Sequence, residues 1–212
     1  MSSTLATLQA IVLKALGGRD DSDSITLVQF NLNAATVVAA AIFKPPELEK
    51  QTTQVLTAGS TYLDVTGLAD FLSVLTLYNN TAAVRMWPFS FEVWQTLVKP
   101  LSVGSTRYYT NVGNLLYVKD VPSADQELDI SYLTHPPYMT NSSDAVGFDN
   151  YDSFIVNLAL QLSWAFLEET ESSNLFNAIV SFLTPFLGRQ SLDTNIIETV
   201  LAKIRATYPK GA

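Results

Sequence analysis

The 212-residue chain contains no cysteine and a single histidine, His135. Without thiols there is neither a disulfide nor a thiolate metal site, and zinc, which takes three or four His or Cys ligands, would find at most one. Basic residues are scarce too: 12 Lys and Arg stand against 20 Asp and Glu, a net charge of −8. They form no cluster, so a phosphate backbone meets no electrostatic footprint and sequence-specific nucleic-acid binding is not expected. No uninterrupted apolar run reaches the roughly 18 residues of a membrane span. The opening MSSTLATLQAIVLKALGG lacks the basic n-region of a signal peptide, so no membrane partner is expected. There is no Gly-x-x-x-x-Gly-Lys-Ser/Thr and no Gly-x-Gly-x-x-Gly to cradle a nucleotide, and no Gly-x-Ser-x-Gly elbow that His135 could serve. Asp20, Asp21 and Asp23 lack the glycine and distal glutamate of a calcium loop. A carboxylate pair for glycoside hydrolysis is a matter of geometry that twenty acids leave open. No catalytic residue, metal ligand or cofactor is therefore assigned.

What is abundant is apolar. Hydrophobic residues make up 48% and charged ones 15%, which excludes disorder. A surface so poor in charge follows either from a large core or from partners that cover part of it. Two proline pairs, Pro45-Pro46 and Pro136-Pro137, interrupt any helix and divide the chain in three. The pattern predicts an α+β fold. Residues 1–45 and 138–212 supply a helical bundle, and an inserted antiparallel β-meander module, 46–137, carries one short helix.

In the helical segments, Leu5, Leu8, Val12 and Ala15 share one stripe that Gly17-Gly18 ends. Asp23 or Ser24 is placed to cap a second helix, with Ile25, Val28, Leu32, Ala35, Ala39 and Ile42 on its inner face. After the polar linker 140–147, Asp149 is placed to cap a long helix reaching Glu168, whose positive end also suits Asp152. Phe154, Ile155, Leu158, Ala159 and Leu162 form its first apolar face; Val156, Leu160, Trp164 and Leu167 make most of the other side apolar as well. A helix this apolar is central or packs on another subunit. Glu168, Glu169 and Glu171 crowd its C-terminal end, where they either help start the next helix or meet a basic partner. Two more apolar helices are expected, over 175–186 and from Asp193 onward.

The middle segment is expected to open with a hairpin, 51–56 against 61–65, followed by a strand at 71–78. A short helix capped by Ser90 would turn Phe91, Trp94, Leu97 and Val98 inward. Arg107–Thr110 and Leu115–Val118 flank Asn111-Val112-Gly113-Asn114, a hairpin in which Gly113 supplies the positive φ of a short loop with a bulge. Leu128, Ile130 and Tyr132 then alternate with polar residues, the period of a half-buried strand. Tyr108, Tyr109, Tyr117 and Tyr132 could stack sugars or bases, but packing is the commoner use of aromatics on a sheet.

The order of these pieces resembles the head-to-tail adaptor, or connector, proteins of tailed bacteriophages. The likeness rests on Asn33-Ala34-Ala35, Pro46-Glu47-Leu48, the Arg-Tyr-Tyr hairpin with Gly113–Val118, Asp129–Tyr132, the Pro-Pro linker with Ser143-Asp144, and Tyr151-Asp152 with Leu158-Ala159-Leu160. It spans about residues 25–170; the two apolar helices expected after Glu171 depart from the pattern. The resemblance implies a non-enzymatic structural protein of the virion neck, assembled in the host cytoplasm. It would form a ring with copies of itself, commonly twelve, under the portal protein. The ring would bridge to a tail or nozzle protein and extend a channel that DNA passes without sequence-specific binding. On this reading Val156, Leu160, Trp164, Leu167, Glu168 and Glu169 contribute subunit contacts. Leu201, Ile204, Arg205, Tyr208 and Lys210 dock on the portal, and the tip Asn111–Asn114 faces the tail. A tail-completion ring or a monomeric carbohydrate-binding module are the alternatives.

Overall fold

The computed structural model describes residues 3–97 and 103–167. In chain order the elements are α1 (Leu5–Ala15), α2 (Ser22–Phe43), a 3-10 turn (Pro46–Leu48), β1 (Glu49–Leu56), β2 (Tyr62–Asp64), β3 (Phe71–Asn79), β4 (Val84–Arg85), β5 (Trp87–Pro88), α3 (Phe91–Leu97), β6 (Tyr108–Val112), β7 (Leu115–Lys119), β8 (Gln126–Thr134) and α4 (Asp152–Leu167). The fold is α+β. The chain divides into a helical unit, 1–48 with 136–212, and a β unit, 49–135.

In the helical unit α1, α2 and α4 pack on one another. Leu5, Leu8, Val12 and Leu16 of the first, Val28, Leu32, Ala35 and Ala39 of the second, and Ile155, Leu158, Ala159 and Leu162 of the third are buried together with Met139 and Val146. Two expected stripe positions differ: Ala15 is exposed where Leu16 closes the stripe, and Ile25 stands out from α2. The first helix ends in a Schellman motif, Gly18 N–H donating to Leu13 O at 2.9 Å and Gly17 N–H to Lys14 O at 3.2 Å. The cap of α2 is neither Asp23 nor Ser24. The helix starts earlier, and Asp21 accepts from Ser24 N–H at 2.8 Å. Likewise α4 begins at Asp152, three residues beyond the expected Asp149 cap.

The segment between the units' last strand and α4 is fastened by side chains rather than by a ladder. Asn33, buried on α2, accepts from Met139 N–H at 2.8 Å and donates to Met139 O at 3.0 Å. Gln29 adds a donor to Met139 O at 3.0 Å. The same segment covers the start of α1, where Leu5 N–H donates to Asp144 O at 2.8 Å and Ala6 N–H to Ser142 O at 3.1 Å. These N–H groups have no partner inside their own helix, so the segment serves as its cap. By length and composition α2 alone among the described helices could cross a membrane. Here Val28, Leu32, Ala35, Val38, Ala39 and Ala40 fill the core, and Gln29, Asn31 and Asn33 all make hydrogen bonds within the unit. Asn31 donates to Ser163 Oγ at 2.9 Å and leaves its Oδ1 buried with no partner.

The β unit contains two four-stranded sheets, β1-β8-β3-β4 and β2-β7-β6-β5. The first is antiparallel; in the second β5 runs parallel to β6. The expected hairpin of 51–56 with 61–65 does not form. β1 pairs along its whole length with β8, from Glu49↔Leu133 to Leu56↔Gln126, and β2 pairs with β7 in the other sheet. Leu56, Leu77, Leu128, Ile130 and Tyr132 meet Leu63, Met86, Tyr109, Leu116 and Val118 in one core cluster. A buried polar clasp accompanies it. Asn79 Nδ2 donates to Gln126 Oε1 at 2.7 Å and to Thr106 O at 3.2 Å, while Thr106 Oγ1 reaches Asp120 O at 2.9 Å. The end of β3, the start of β8 and the chain entering β6 are thereby tied at one point.

Candidate interaction surfaces

Among the described residues no group of three or more His, Cys, Asp or Glu could hold a metal ion. His135 sits at the end of β8, its N–H donating to Asp70 O at 2.6 Å. Of the carboxylates held below their ordinary range, three accept from nearby backbone N–H groups and Asp129 accepts from side chains. Asp21 is held below its usual range by the Ser24 N–H, and Asp64 by the Thr66 N–H. Asp129 is lowered chiefly by the Thr53 hydroxyl, and Asp144 by the Asn141 and Thr140 N–H groups. Burial pushes the Tyr109 hydroxyl up to about 12 although Arg85 pulls the other way. These are anchoring roles, and they make a pH prediction. Asp144 has a folded-state value below its unfolded one, so its contribution is complete above the unfolded value. It fades as pH falls through the folded one. Thermal melts at pH 7 and pH 3 are expected to show a smaller acid-induced drop in Asp144→Asn than in the native chain. Equal drops would show that this loop does not contribute.

Surfaces carry the features that the core does not explain. Residues of a strand alternate between faces, so the tyrosines considered above divide. Tyr109 and Tyr132 point into the core and are buried. Tyr108 and Tyr117, which the packing expectation covered equally, lie on the opposite face. Tyr117 meets Tyr62 at 6.0 Å between ring centroids, and Tyr108 meets Phe89 at 5.2 Å. The helix α3 packs on β6 and buries Trp94. Phe91, expected inward, is 43% exposed, and the side chain of Leu97 and all of Val98 lie outside the described residues. At the β5 edge Trp87 is 57% exposed and Phe89 36%, with the Arg85 guanidinium stacked 5.4 Å from the Trp87 ring centroid. Lys119 is the cross-strand partner of Tyr108.

The hairpin tip is exposed, and its loop is tighter than expected. Val112 pairs with Leu115, so only Gly113 and Asn114 turn and no bulge intervenes. Gly113 has φ +60°, the glycine-first pattern of a type II′ turn. Asn111, Val112, Gly113 and Asn114 are all exposed, and Asn114 O accepts from Val65 N–H at 2.9 Å. There is space for a Cβ at Gly113, so Gly113→Ala tests conformation alone. It is expected to cost about 1 kcal/mol in urea unfolding with an unchanged slope. No loss would contradict the turn assignment.

On α4 the residues assigned to subunit contacts lie on its less buried side: Val156, Leu160 and Leu167 are half-buried and Trp164 is 39% exposed. Glu168 and Glu169 lie outside the described residues, as do Leu201, Ile204, Arg205, Tyr208 and Lys210 and the two apolar helices expected beyond residue 174.

Each of the two folded units thus carries exposed features that its own core does not explain. The family model described as SU10 adaptor protein matches residues 3–190, and the chain belongs to that family, one of phage head-to-tail adaptors. Membership makes it a bacteriophage adaptor and a component of the virion neck. Among curated proteins none matches the chain.

Proposed function

We propose that the chain is a non-enzymatic structural protein that assembles with copies of itself, about twelve, into a ring beneath the portal. The ring connects capsid to tail and extends the DNA channel. The observation that carries this reading is the family match over residues 3–190. In this arrangement the N- and C-terminal segments complete a helical bundle that forms the ring wall, and the β unit is the inserted module. The less buried side of α4, with Val156, Leu160, Trp164, Leu167, Glu168 and Glu169, contributes subunit contacts. The C-terminal residues Leu201, Ile204, Arg205, Tyr208 and Lys210 dock on the portal, and Asn111–Asn114 faces the tail or nozzle protein. A net charge of −8 favours passage of DNA over capture, because an acidic wall repels phosphates.

The test is co-purification with the portal protein of the same genome. The full chain is expected to elute with the portal, and a chain shortened by its last dozen residues to elute alone. Retention of the shortened chain would move the docking surface elsewhere. A full chain that never joins the portal would favour a tail-completion ring.

A further inference from the structure

Beyond the side of α4, the structure presents two unlike exposed patches, one on each unit. At the β5 edge lie Trp87, Phe89 and Phe91, with Arg85 stacked on Trp87. Trp, Phe and Arg are the residues that concentrate binding energy when an interface desolvates them. This edge also gathers positive charge on an acidic chain. Of the four Lys and Arg described in the β unit, Arg85 and Arg107 adjoin this edge, Lys119 stands two strands in on β7 in the row of Trp87 and Tyr108, and Lys50 lies in the other sheet. Lys119 lies opposite Tyr108, and Arg107 O receives the Trp87 N–H at 2.9 Å. Glu92 and Asp120 are the acids nearest in sequence.

The second patch is the corner joining α1 to α2. There Ile25 is 37% exposed, and Gln9 of α1 donates to its carbonyl oxygen at 3.3 Å, so the start of α2 is held against α1 with this isoleucine outward. Asp20, Asp21 and Asp23 precede Ile25 in sequence, with Arg19 the cation on that turn. Asp21 is fixed by Ser24 and kept ionised. One patch is thus aromatic and basic, the other aliphatic and acidic.

We propose that the α1–α2 corner of one copy seats on the β5 edge of the next. This rests on the ring reading above and names a pair of surfaces that would close it. A ring contact is heterologous and needs two different complementary faces on every subunit. Apolar groups on both sides bury together, and Asp20 and Asp23 meet Arg85 and Lys119. On a chain of net charge −8, an aromatic edge that carries cations attracts the acidic corner of a second copy instead of repelling it.

The experiment measures copy number by mass photometry on the full chain, alone and with the portal protein, with circular dichroism melts as the folding control. Three variants are compared with the native chain: Arg85→Glu with Lys119→Glu, Asp20→Lys with Asp23→Lys, and all four reversals together. Each two-site variant is expected to melt like the native chain yet associate at least tenfold more weakly, and the four-site variant to regain the ring. Rings that persist in either two-site variant overturn this proposal and leave the ring reading intact. Failure of the four-site variant to reassemble overturns the pairing. A two-site variant that keeps its ring but leaves the portal reassigns the edge to the portal. A native chain that stays monomeric with and without the portal overturns the ring reading itself. Should a reversal unfold the chain, Trp87→Gln on the exposed ring supplies the same reading, with unweakened association overturning the proposal.

Discussion

Asn33→Ala is expected to destabilise the chain by roughly 2–4 kcal/mol, the sum of a lost hydrogen bond and a buried N–H left without a partner. The cause is specific. Asn33 is 5% exposed and holds both the N–H and the C=O of Met139, a residue 106 positions away in sequence. The carbonyl keeps Gln29 as a second donor at 3.0 Å, so the orphaned group is the Met139 N–H. Met139 is itself buried, and water does not replace the amide. The substitution also frees the segment whose carbonyls cap α1 through Leu5 and Ala6. Asn33→Asp keeps the acceptor and sets a carboxylate against Met139 O, and it too is expected to lose stability. Urea unfolding measures the cost, and hydrogen exchange at the Met139 amide locates it. An Asn33→Ala chain within 0.5 kcal/mol of native would show that the clasp is dispensable, since that is the range of ordinary surface substitutions.

Ile130→Ala is expected to cost about 2–5 kcal/mol, and Ile130→Val about 0.5–1.5. Ile130 is 1% exposed on β8, the strand between β1 and β3, and is paired with Thr52 on one side and Leu77 on the other. Its side chain enters the core beside Leu128 and Tyr132, so truncation leaves a cavity that neighbours on both strands must collapse into. The midpoint of urea unfolding is expected to fall in that order with little change in slope. An alanine variant no weaker than the valine one would contradict the placement of Ile130 in the core.

Much of this architecture is legible in the sequence, because much of it is local. The alternation of Leu128, Ile130 and Tyr132 announces a strand, although Ser131 and Leu133 on its other face are buried too, and aromatic and β-branched runs on either side of Gly113 announce a hairpin. What sequence alone does not supply is who pairs with whom. Ala58-Gly59-Ser60 looks like a hairpin turn between two strands, yet the first of them finds its partner in β8. Ala58 N–H is bonded instead to Asp125 at 2.8 Å, 67 residues on. Three neighbouring aspartates can each cap a helix, and only where α2 begins selects Asp21.

The surfaces were legible to a lesser degree. Tyr108 and Tyr109 must point opposite ways in any strand, but which one enters the core depends on the sheet packed against it. Trp87-Pro88-Phe89 reads as the approach to a helix, and nothing local reveals that it lies beside β6 with its rings outward. Asn33 enters the sequence reading only through resemblance. Its work becomes visible when the chain returns at Met139 to be held.

The most direct test of the adaptor assignment is native mass spectrometry of the full chain, alone and mixed with the portal protein encoded by the same genome. One discrete ring of about twelve copies is expected, formed alone or on the portal. A chain that remains monomeric in both samples, with the portal unaltered in mass, would contradict it.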